Sequence, residues 1–583
     1  MISFLFVLFG TALYIPTIFL GLLSDDFFLR GHLEIDKITT FNVLNAINSA
    51  FSFITEANRL EGMRVGILPW WSDPQVTVNI YRPLAALTQF LDYQLWPSNF
   101  LYMHIHSLVW YSILLVAILS LYRKFFSNTK HFYLLAALLF IFDKTHLSSI
   151  SWLANRNDLL SSLFLTATLL CYIQYFKLKN KIIFALAQTF ILAGLLSSEG
   201  IVAVIPIVFF YSCVYLKNSI KTSIKVVIPS LVIFFSFRLI TAFFGYKVAH
   251  TGFFMDPTQN LVGYIQAFII RYPILLAQSF TAIDFHYFDF SPLGNNYIWI
   301  GSLFLSLFFI ILFYRVNSKN RLGKFLLLAS MVSAVPFVSS FDLSPRNLMI
   351  PSIFTAALIS TTFSSLWLKS KRSFIESGLL ITIGLAILVR LLISPVDLIS
   401  EGKKVQIPTW FTYSQKLYQL KNKVPVIVTT PFGYVFDSEF IATNKSKNTY
   451  RILSSSLFDI ELTVTGLQTI ELSSEQGFFN LPQDVHKQNG LSNLFYSTAA
   501  FNIGSSDFPI NFKNGQTVAN DDFKVVVKEV NSAQVPTILQ FTFTKALSDN
   551  KYSWLTYNWN TQTFDQVILP EINQSILIMG VLK

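Results

Sequence analysis

Long apolar runs separated by short polar segments dominate the first 400 residues of this chain, and they constrain its fold more than any other feature. A helix that crosses a hydrocarbon core of ~30 Å needs about 20 residues. Eleven runs approach that length, at about residues 2–23, 101–121, 131–150, 159–176, 182–197, 201–216, 225–244, 297–314, 325–341, 349–368 and 374–394. Charged residues make up only 13% of the chain, against ~25% in soluble domains. The sequence therefore excludes a water-soluble enzyme and predicts an α-helical polytopic membrane protein with about 11 transmembrane helices.

The orientation of these spans follows from the loops between them, because Lys and Arg accumulate in short cytoplasmic loops. Every second loop of the eleven-span arrangement holds a basic group. The groups are Arg123, Lys124 and Lys130; Lys177, Lys179 and Lys181; Lys217, Lys221 and Lys225; Arg315, Lys319, Arg321 and Lys324; and Lys369, Lys371 and Arg372. This pattern predicts a plasma-membrane or inner-membrane protein with a cytoplasmic N-terminus. The same pattern accounts for the net charge of +11 without nucleic-acid binding.

One further apolar stretch, at 261–283, breaks this alternation if it crosses the membrane. It carries Arg271 near its middle, followed by Pro273. We therefore expect a helix that lies on the outer interface or re-enters from the outer side.

Two segments are predicted to lie outside the membrane. The first outer loop spans about 24–100 within a transmembrane domain of residues 1–400, and we expect its Trp70 and Trp71 to lie in an interfacial aromatic belt. Residues 401–583 carry 15 basic and 15 acidic residues, and short β-branched runs broken by Gly, Pro and Asn follow a helical lead at 409–421. We expect a separate, independently folding β-rich extracytoplasmic domain there.

Asp25 and Asp26 lie at the outer mouth of the first span. Two adjacent carboxylates at the edge of the hydrocarbon are costly unless they are solvated, paired or used in function. Their surroundings could raise a pKa enough for general-base catalysis. Capping of the next helix is the competing interpretation.

Two arginines are candidates for binding a phosphate. Arg82 directly precedes Pro83 at a predicted helix start, where free N–H groups add to the guanidinium. Arg346 lies in the last short outer loop, at the membrane edge.

Four more residues are candidates for positioning a substrate or a metal ion. Asn155 and Asp158 lie on one helical face before the fourth span, Glu199 lies in the short turn between the fifth and sixth spans, and His104 opens the second span. Three of them also have a structural explanation: a helix cap for Asp158 and Glu199, and a core position for His104. Asp284, His286 and Asp289 could be metal ligands, although their spacing fits no strict zinc pattern.

In order along the chain, these motifs resemble the polytopic glycosyltransferases of the GT-C class. The motifs are the acidic pair, Arg82-Pro83-Leu84, the His-started second span, Asn155-Arg156-x-Asp158, Ser197-x-Glu199 and Ser344-Pro345-Arg346-x-x-x-x-Pro351. The likeness is to the protein O-mannosyltransferase and tetratricopeptide-bearing transmembrane mannosyltransferase branch, without the repeats. It covers roughly residues 1–370.

The resemblance implies transfer of a hexose or pentose from a polyprenyl-phosphate carrier to an acceptor hydroxyl at the non-cytoplasmic face, with inversion. It implies that Asp25 or Asp26 is the base, that Arg82 and Arg346 bind the donor phosphate, and that Asp158 and Glu199 position the acceptor or a divalent ion, Mg²⁺ or Mn²⁺. The resemblance does not specify whether the acceptor is a glycan, a lipid or a protein.

Two other functions compete with this one. A transporter or flippase of a lipid-linked sugar is expected to carry polar residues through its spans and often two repeated halves, whereas here the polar groups collect at one face. An envelope scaffold that binds glycan through the outer domain is the third alternative.

Overall fold

The computed structural model describes residues 2–580 apart from 24, 36–37, 66–67, 74, 128–130, 252–253, 284–294, 341–342, 344, 372, 405–422, 431–449, 457, 479–511, 533 and 559–562. The predicted ligands Asp284, His286 and Asp289 and the helical lead at 409–421 lie outside the described residues. The α-helices in the described part are α1 Ile2–Ala12, α2 Asp25–Leu33, α3 Thr40–Ser49, α4 Glu56–Val65, α5 Pro83–Leu95, α6 Phe100–Phe125, α7 Phe132–Ile141, α8 Leu147–Ser151, α9 Arg156–Leu178, α10 Lys181–Leu195, α11 Val204–Phe210, α12 Ile220–Phe243, α13 Leu261–Thr281, α14 Asn295–Val316, α15 Arg321–Ser333, α16 Met349–Trp367 and α17 Phe374–Lys404.

Eight helical stretches in the described residues are long and apolar enough to cross a membrane. They are Phe100–Phe125, Leu153–Leu178, Ile220–Phe243, Leu261–Thr281, Ile298–Val316, Arg321–Ser339, Arg346–Trp367 and Phe374–Leu392. Their apolar side chains form one large core together with the shorter helices. The fold is therefore consistent with a polytopic membrane protein.

The remaining predicted spans are shorter or broken. The run at 131–150 forms α7 and Lys144–Ser151, which meet at a bend of 49°. Asp143 makes this break, because its carboxylate accepts the Thr145 N–H at 3.1 Å and starts a new helical turn. The runs at 2–23, 182–197 and 201–216 correspond to the apolar helices Ser3–Phe19, Lys181–Leu195 and Glu199–Tyr215, each below the length of a full span.

The stretch at 261–283 forms one helix, α13, which by length and composition is a candidate span. Its contacts with α14 run in the same order along both helices. Trp299 Nε1 donates to the Ile269 carbonyl at 3.1 Å, and Ser306 Oγ donates to the Pro273 carbonyl at 2.8 Å. The first half of α14 therefore lies level with the middle of α13, and the two helices run in the same direction. The expectation that this segment lies on the outer interface or re-enters from the outer side stays a prediction, because α13 is by length and composition a candidate span.

The described residues of the segment at 24–100 form helices and strands. The helices α2, α3 and α5 share an apolar core with the start of α6 and the turn before α9. The strands β1 Ser52–Ile54, β2 Thr77–Asn79 and β3 Val248–Ala249 form an antiparallel sheet with β2 in the centre. The helix expected from Pro83 is present as α5, with proline at its first position.

The C-terminal region is β-rich, as predicted. Its strands are β4 Val424–Thr429, β5 Arg451–Ser454, β6 Ile460–Gly466, β7 Thr469–Ser473, β8 Thr517–Ala519, β9 Phe523–Val530, β10 Pro536–Phe543, β11 Tyr552–Asn558, β12 Thr563–Gln566 and β13 Ser575–Ile578. One antiparallel sheet has the order β13-β6-β7-β10-β9-β8. A second sheet has the order β12-β11-β4-β5, in which β4 is parallel to both of its neighbours.

The tryptophans of the first outer loop correct one expectation from the sequence. Trp70 and Trp71 suit an interfacial aromatic belt, yet both side chains are 3% exposed and belong to the core of the β-rich domain. The core of the β-rich domain is thus completed by residues of the segment at 24–100, far earlier in the chain.

Candidate active site

Five charged side chains from separate segments converge at one end of the helix bundle, and we call them the polar cluster. Asp25 begins α2, Arg82 precedes α5, Asp158 lies in the first turn of α9, Glu199 follows α10 and Arg346 precedes α16. All five are half-buried, so each keeps part of its surface open. The basic loops follow the opposite ends of α9 and α16.

Arg82 and Glu199 form the ion pair at the centre of the polar cluster. The Glu199 Oε2 atom accepts from Arg82 Nη2 at 2.9 Å and from Nε at 3.3 Å. The backbone supports this pairing, because the Leu84 N–H donates to the Leu196 carbonyl at 2.9 Å. The start of α5 is thereby attached to the end of α10, and the guanidinium has a fixed direction.

A close backbone approach positions Glu199. The Ser198 N–H donates to the Gly194 carbonyl at 2.8 Å, which folds the chain back on the end of α10. A Cβ atom on Gly194 would lie 1.8 Å from Ile201 Cδ1. Any larger residue at position 194 would require the Ile201 side chain to shift, so glycine leaves room for the turn that carries Glu199.

Asp158 and Arg346 extend the polar cluster on the other side of the turn. The Ser198 hydroxyl donates to Asp158 Oδ1 at 3.1 Å. The charge of Asp158 interacts with both Arg82 and Arg346. The Arg346 guanidinium lies 5.1 Å from the centre of the Trp152 ring, whose Nε1 donates to the Leu23 carbonyl at 3.1 Å. Trp152 therefore connects the Arg346 loop to the segment just before α2.

The two adjacent aspartates have different surroundings. Asp26 is fully buried, and its carboxylate accepts the N–H groups of Leu23 at 2.8 Å and Ala154 at 2.5 Å. Burial raises the pKa of Asp26 to about 8, against the opposing effects of these N–H groups and of Arg156. Asp25 is half-buried and interacts electrostatically with Arg82. Of the pair, only Asp25 has an exposed surface.

His104 and Asn155 do not join the polar cluster through any contact seen in the described residues. The His104 ring is fully buried, with Nε2 at 3.2 Å from the Gly21 carbonyl oxygen. Asn155 ends a short 3₁₀ turn before α9 and donates to Ser149 Oγ at 3.2 Å. The hydrogen-bond partners of both side chains lie outside the polar cluster.

A buried charge network beside the site is absent from the sequence-based candidates. Arg156 is fully buried, with its Nη2 at 2.6 Å from Asp92 Oδ2, and it also donates to Ser107 Oγ and the Met103 carbonyl. The Asp92 Oδ1 atom lies 2.6 Å from His106 Nδ1. This network joins α5, α6 and α9. The sequence could have indicated this network, because Asp92 is a charged residue on the apolar face of α5 and a buried charge requires a partner.

The described residues do not fit a divalent cation. They contain no group of three His, Cys, Asp or Glu side chains that could hold a metal ion. Glu199 is paired with Arg82, and Asp158 accepts from Ser198. We therefore derive no step through Mg²⁺ or Mn²⁺.

The polar cluster combines a half-buried carboxylate, Asp25, with two guanidinium groups: Arg82 is paired with Glu199, and Arg346 interacts with the charge of Asp158. Such a set can accept a proton and bind an anionic leaving group in one place. No protein-family model matches the chain, and a search of curated proteins found no match. Functional assignment therefore depends on the chemistry of the site.

Proposed function

We propose that this protein is a membrane glycosyltransferase that moves a sugar from a polyprenyl-phosphate carrier to an acceptor hydroxyl at the outer face of the membrane, with inversion. The observation that carries the proposal is the polar cluster itself. Three carboxylates and two guanidinium groups from distant segments keep exposed surface at one end of an apolar bundle. The order of their motifs along the chain supports the same chemistry.

Asp25 is the proposed general base. It takes the proton of the acceptor hydroxyl as the acceptor oxygen forms its bond to the anomeric carbon. The bond from that carbon to the phosphate oxygen breaks on the opposite face, and the phosphate leaves as an anion. Asp26 positions Asp25, because its buried carboxylate attaches the start of α2 to the loop before α9.

Arg82 and Arg346 are the proposed partners of the donor phosphate. Arginine suits this role because its planar fork forms two charge-assisted hydrogen bonds and keeps its charge. In this proposal Glu199 and Asp158 hold the two guanidinium groups instead of contacting the acceptor. The acceptor itself, a glycan, a lipid or a protein, is not specified by these residues.

The test uses purified full-length protein and a panel of radiolabelled polyprenyl-phosphate sugars. Free carrier phosphate should appear with at least one donor, and Asp25→Asn should lower its release by ~10²–10⁴-fold. The matched control is Glu571→Gln, a carboxylate on the exposed surface of the outer domain. Absence of release with every donor, in the presence of membrane extract as acceptor source, would contradict the proposal.

A transporter or flippase of a lipid-linked sugar is the second candidate, and one observation favours it. Arg390 lies within the candidate span of α17, is 2% exposed and has its Nη2 at 3.8 Å from Asp143 Oδ2. Charged residues inside membrane spans often mark transport pathways. Movement of the lipid-linked sugar across proteoliposomes without release of carrier phosphate would favour this candidate over the transferase.

A further inference from the structure

The outer β-rich domain incorporates two residues of the first outer loop into its core. The Trp70 ring packs edge to face on Phe512 and Phe541, with ring centres 6.2 and 6.0 Å away. Its Nε1 donates to the Leu453 carbonyl at 2.9 Å. Trp71 packs edge to face against Trp70 at 5.4 Å and is equally buried. Buried tryptophans dominate the energetics of interfaces, because each removes a large apolar surface from water.

A charged contact lies beside the two tryptophans. The Arg64 guanidinium pairs with the Asp521 carboxylate, and the Asp521 N–H donates to the Arg64 carbonyl at 3.4 Å. Both side chains are about half exposed, so the ion pair adds orientation more than affinity. We call Arg64, Trp70 and Trp71 the clamp.

The chain between the clamp and the polar cluster is held along its length. Arg59 Nη1 donates to the Val76 carbonyl at 3.2 Å, and the next residues form the central strand β2. The Ile80 N–H then donates to the Phe51 carbonyl at 3.1 Å, two residues before Arg82. Hydrogen bonds therefore link the segment that follows the clamp to the sheet and to the residues just before Arg82.

We propose that the clamp fixes the outer domain over the polar cluster and that Trp70 and Trp71 are positioning residues for the acceptor. The attachment itself does not depend on any activity. Its consequence for transfer rests on the proposed glycosyltransferase function, because an acceptor held by the outer domain then has a fixed distance from Asp25 and Arg82.

The attachment is tested on the full chain by a protease site inserted between residues 410 and 411, which lie outside the described residues. After cleavage in membranes and a high-salt wash, the C-terminal fragment should stay with the membrane fraction. Trp70→Ala with Trp71→Ala should release it, whereas Phe at both positions should retain most of it. Trp367→Ala, at a ring more than half exposed, is the matched control and should retain the fragment.

Two results would overturn the attachment. Release of the fragment from the cleaved chain with both tryptophans intact would show that the clamp does not hold the domain. Retention by the double alanine variant would show that other contacts hold it. The first result decides the question even if the double variant fails to accumulate.

The consequence for transfer is tested in native membranes with the radiolabelled donor that the panel identifies. The uncleaved double alanine variant should still hydrolyse the donor: water forms the bond to the anomeric carbon, Asp25 takes the proton, and carrier phosphate leaves. Its KM for the donor should be unchanged, and incorporation of label into endogenous acceptor should fall at least 10-fold. Full incorporation would overturn the positioning role. No hydrolysis by the unaltered protein would contradict the glycosyltransferase proposal and leave the attachment result intact.

Discussion

The Arg82 Nη2 atom lies 2.9 Å from Glu199 Oε2, and this ion pair joins two segments that are more than 100 residues apart. Arg82 is 17% exposed and Glu199 is 39% exposed. A guanidinium that is mostly covered by protein yet reachable from one side is suited to bind a phosphate without losing its acidic partner.

Arg82→Lys is expected to weaken donor binding while the protein stays folded. Lysine keeps the charge but loses the planar fork that contacts Glu199 through both Nε and Nη2. Loss of one charge-assisted hydrogen bond corresponds to roughly a 10-fold to 100-fold rise in donor KM. Steady-state kinetics of carrier-phosphate release measures this. Arg315→Lys, at the opposite end of the bundle, is the control and should leave KM unchanged.

The two aspartates are expected to respond differently to the same substitution. Asp25→Asn removes the proposed base and should lower turnover by ~10²–10⁴-fold, with normal folding. Asp26→Asn should instead lower the free energy of unfolding by about 1–3 kcal/mol, because an amide cannot accept both the Leu23 and the Ala154 N–H groups. Thermal unfolding in detergent and turnover assays separate the two effects. Near-normal turnover of Asp25→Asn would show that Asp25 is not the general base.

The raised pKa of Asp26 predicts a pH dependence of stability. Between the ordinary pKa of 3.8 and about 8, the folded state keeps a proton that the unfolded state has released. The contribution of this group is therefore fully present below pH 3.8 and is lost as the pH rises toward 8, at up to ~1.4 kcal/mol per pH unit. Thermal unfolding midpoints are measured between pH 3.8 and pH 8 for the unaltered protein and for Asp26→Asn. The difference between the two proteins gives the contribution of Asp26 to stability. An equal slope in both proteins would mean that Asp26 is ionised in the folded state.

The buried network of Asp92 and Arg156 is expected to contribute strongly to stability. Asp92→Asn leaves the fully buried Arg156 without its carboxylate partner, which typically costs about 3–5 kcal/mol. The exposed pair of Arg30 and Glu34 gives a matched comparison, since Glu34→Gln should cost less than ~1 kcal/mol. Thermal unfolding of both variants in the same detergent shows which substitution lowers the free energy of unfolding more. A similar small loss in both would show that water reaches Arg156.

The orientation of the bundle is tested by thiol labelling. Lys221→Cys should be protected from a membrane-impermeant reagent in intact cells, and Lys513→Cys in the outer domain should react, because the basic loops are expected to be cytoplasmic. Cys171 and Cys213 are replaced by alanine beforehand to remove background. Labelling at position 221 without labelling at 513 contradicts the orientation.

Much of the helical framework is visible in the sequence. Hydropathy alone locates the helices around 101–121, 159–176, 225–244 and 349–368, because a run of about 20 apolar residues has few alternatives to a span. The helix from Pro83 follows from proline at a first helical position, and the β-rich C-terminal region follows from its β-branched runs. The sequence also identifies all five members of the polar cluster as candidates, since each is a charge at the edge of an apolar run.

The sequence by itself determined which residues are apolar spans and which polar residues lie at their ends, because these are properties of neighbouring residues. The tertiary structure alone decided which polar residues meet. It brought Arg82 to Glu199 and buried Asp26 while Asp25 stayed half-buried. It also gave His104 and Asn155 hydrogen-bond partners outside the polar cluster. It also moved Trp70 and Trp71 from an expected membrane interface into the core of the outer domain. Burial and pairing depend on contacts between distant segments, and a single sequence contains no direct record of such contacts.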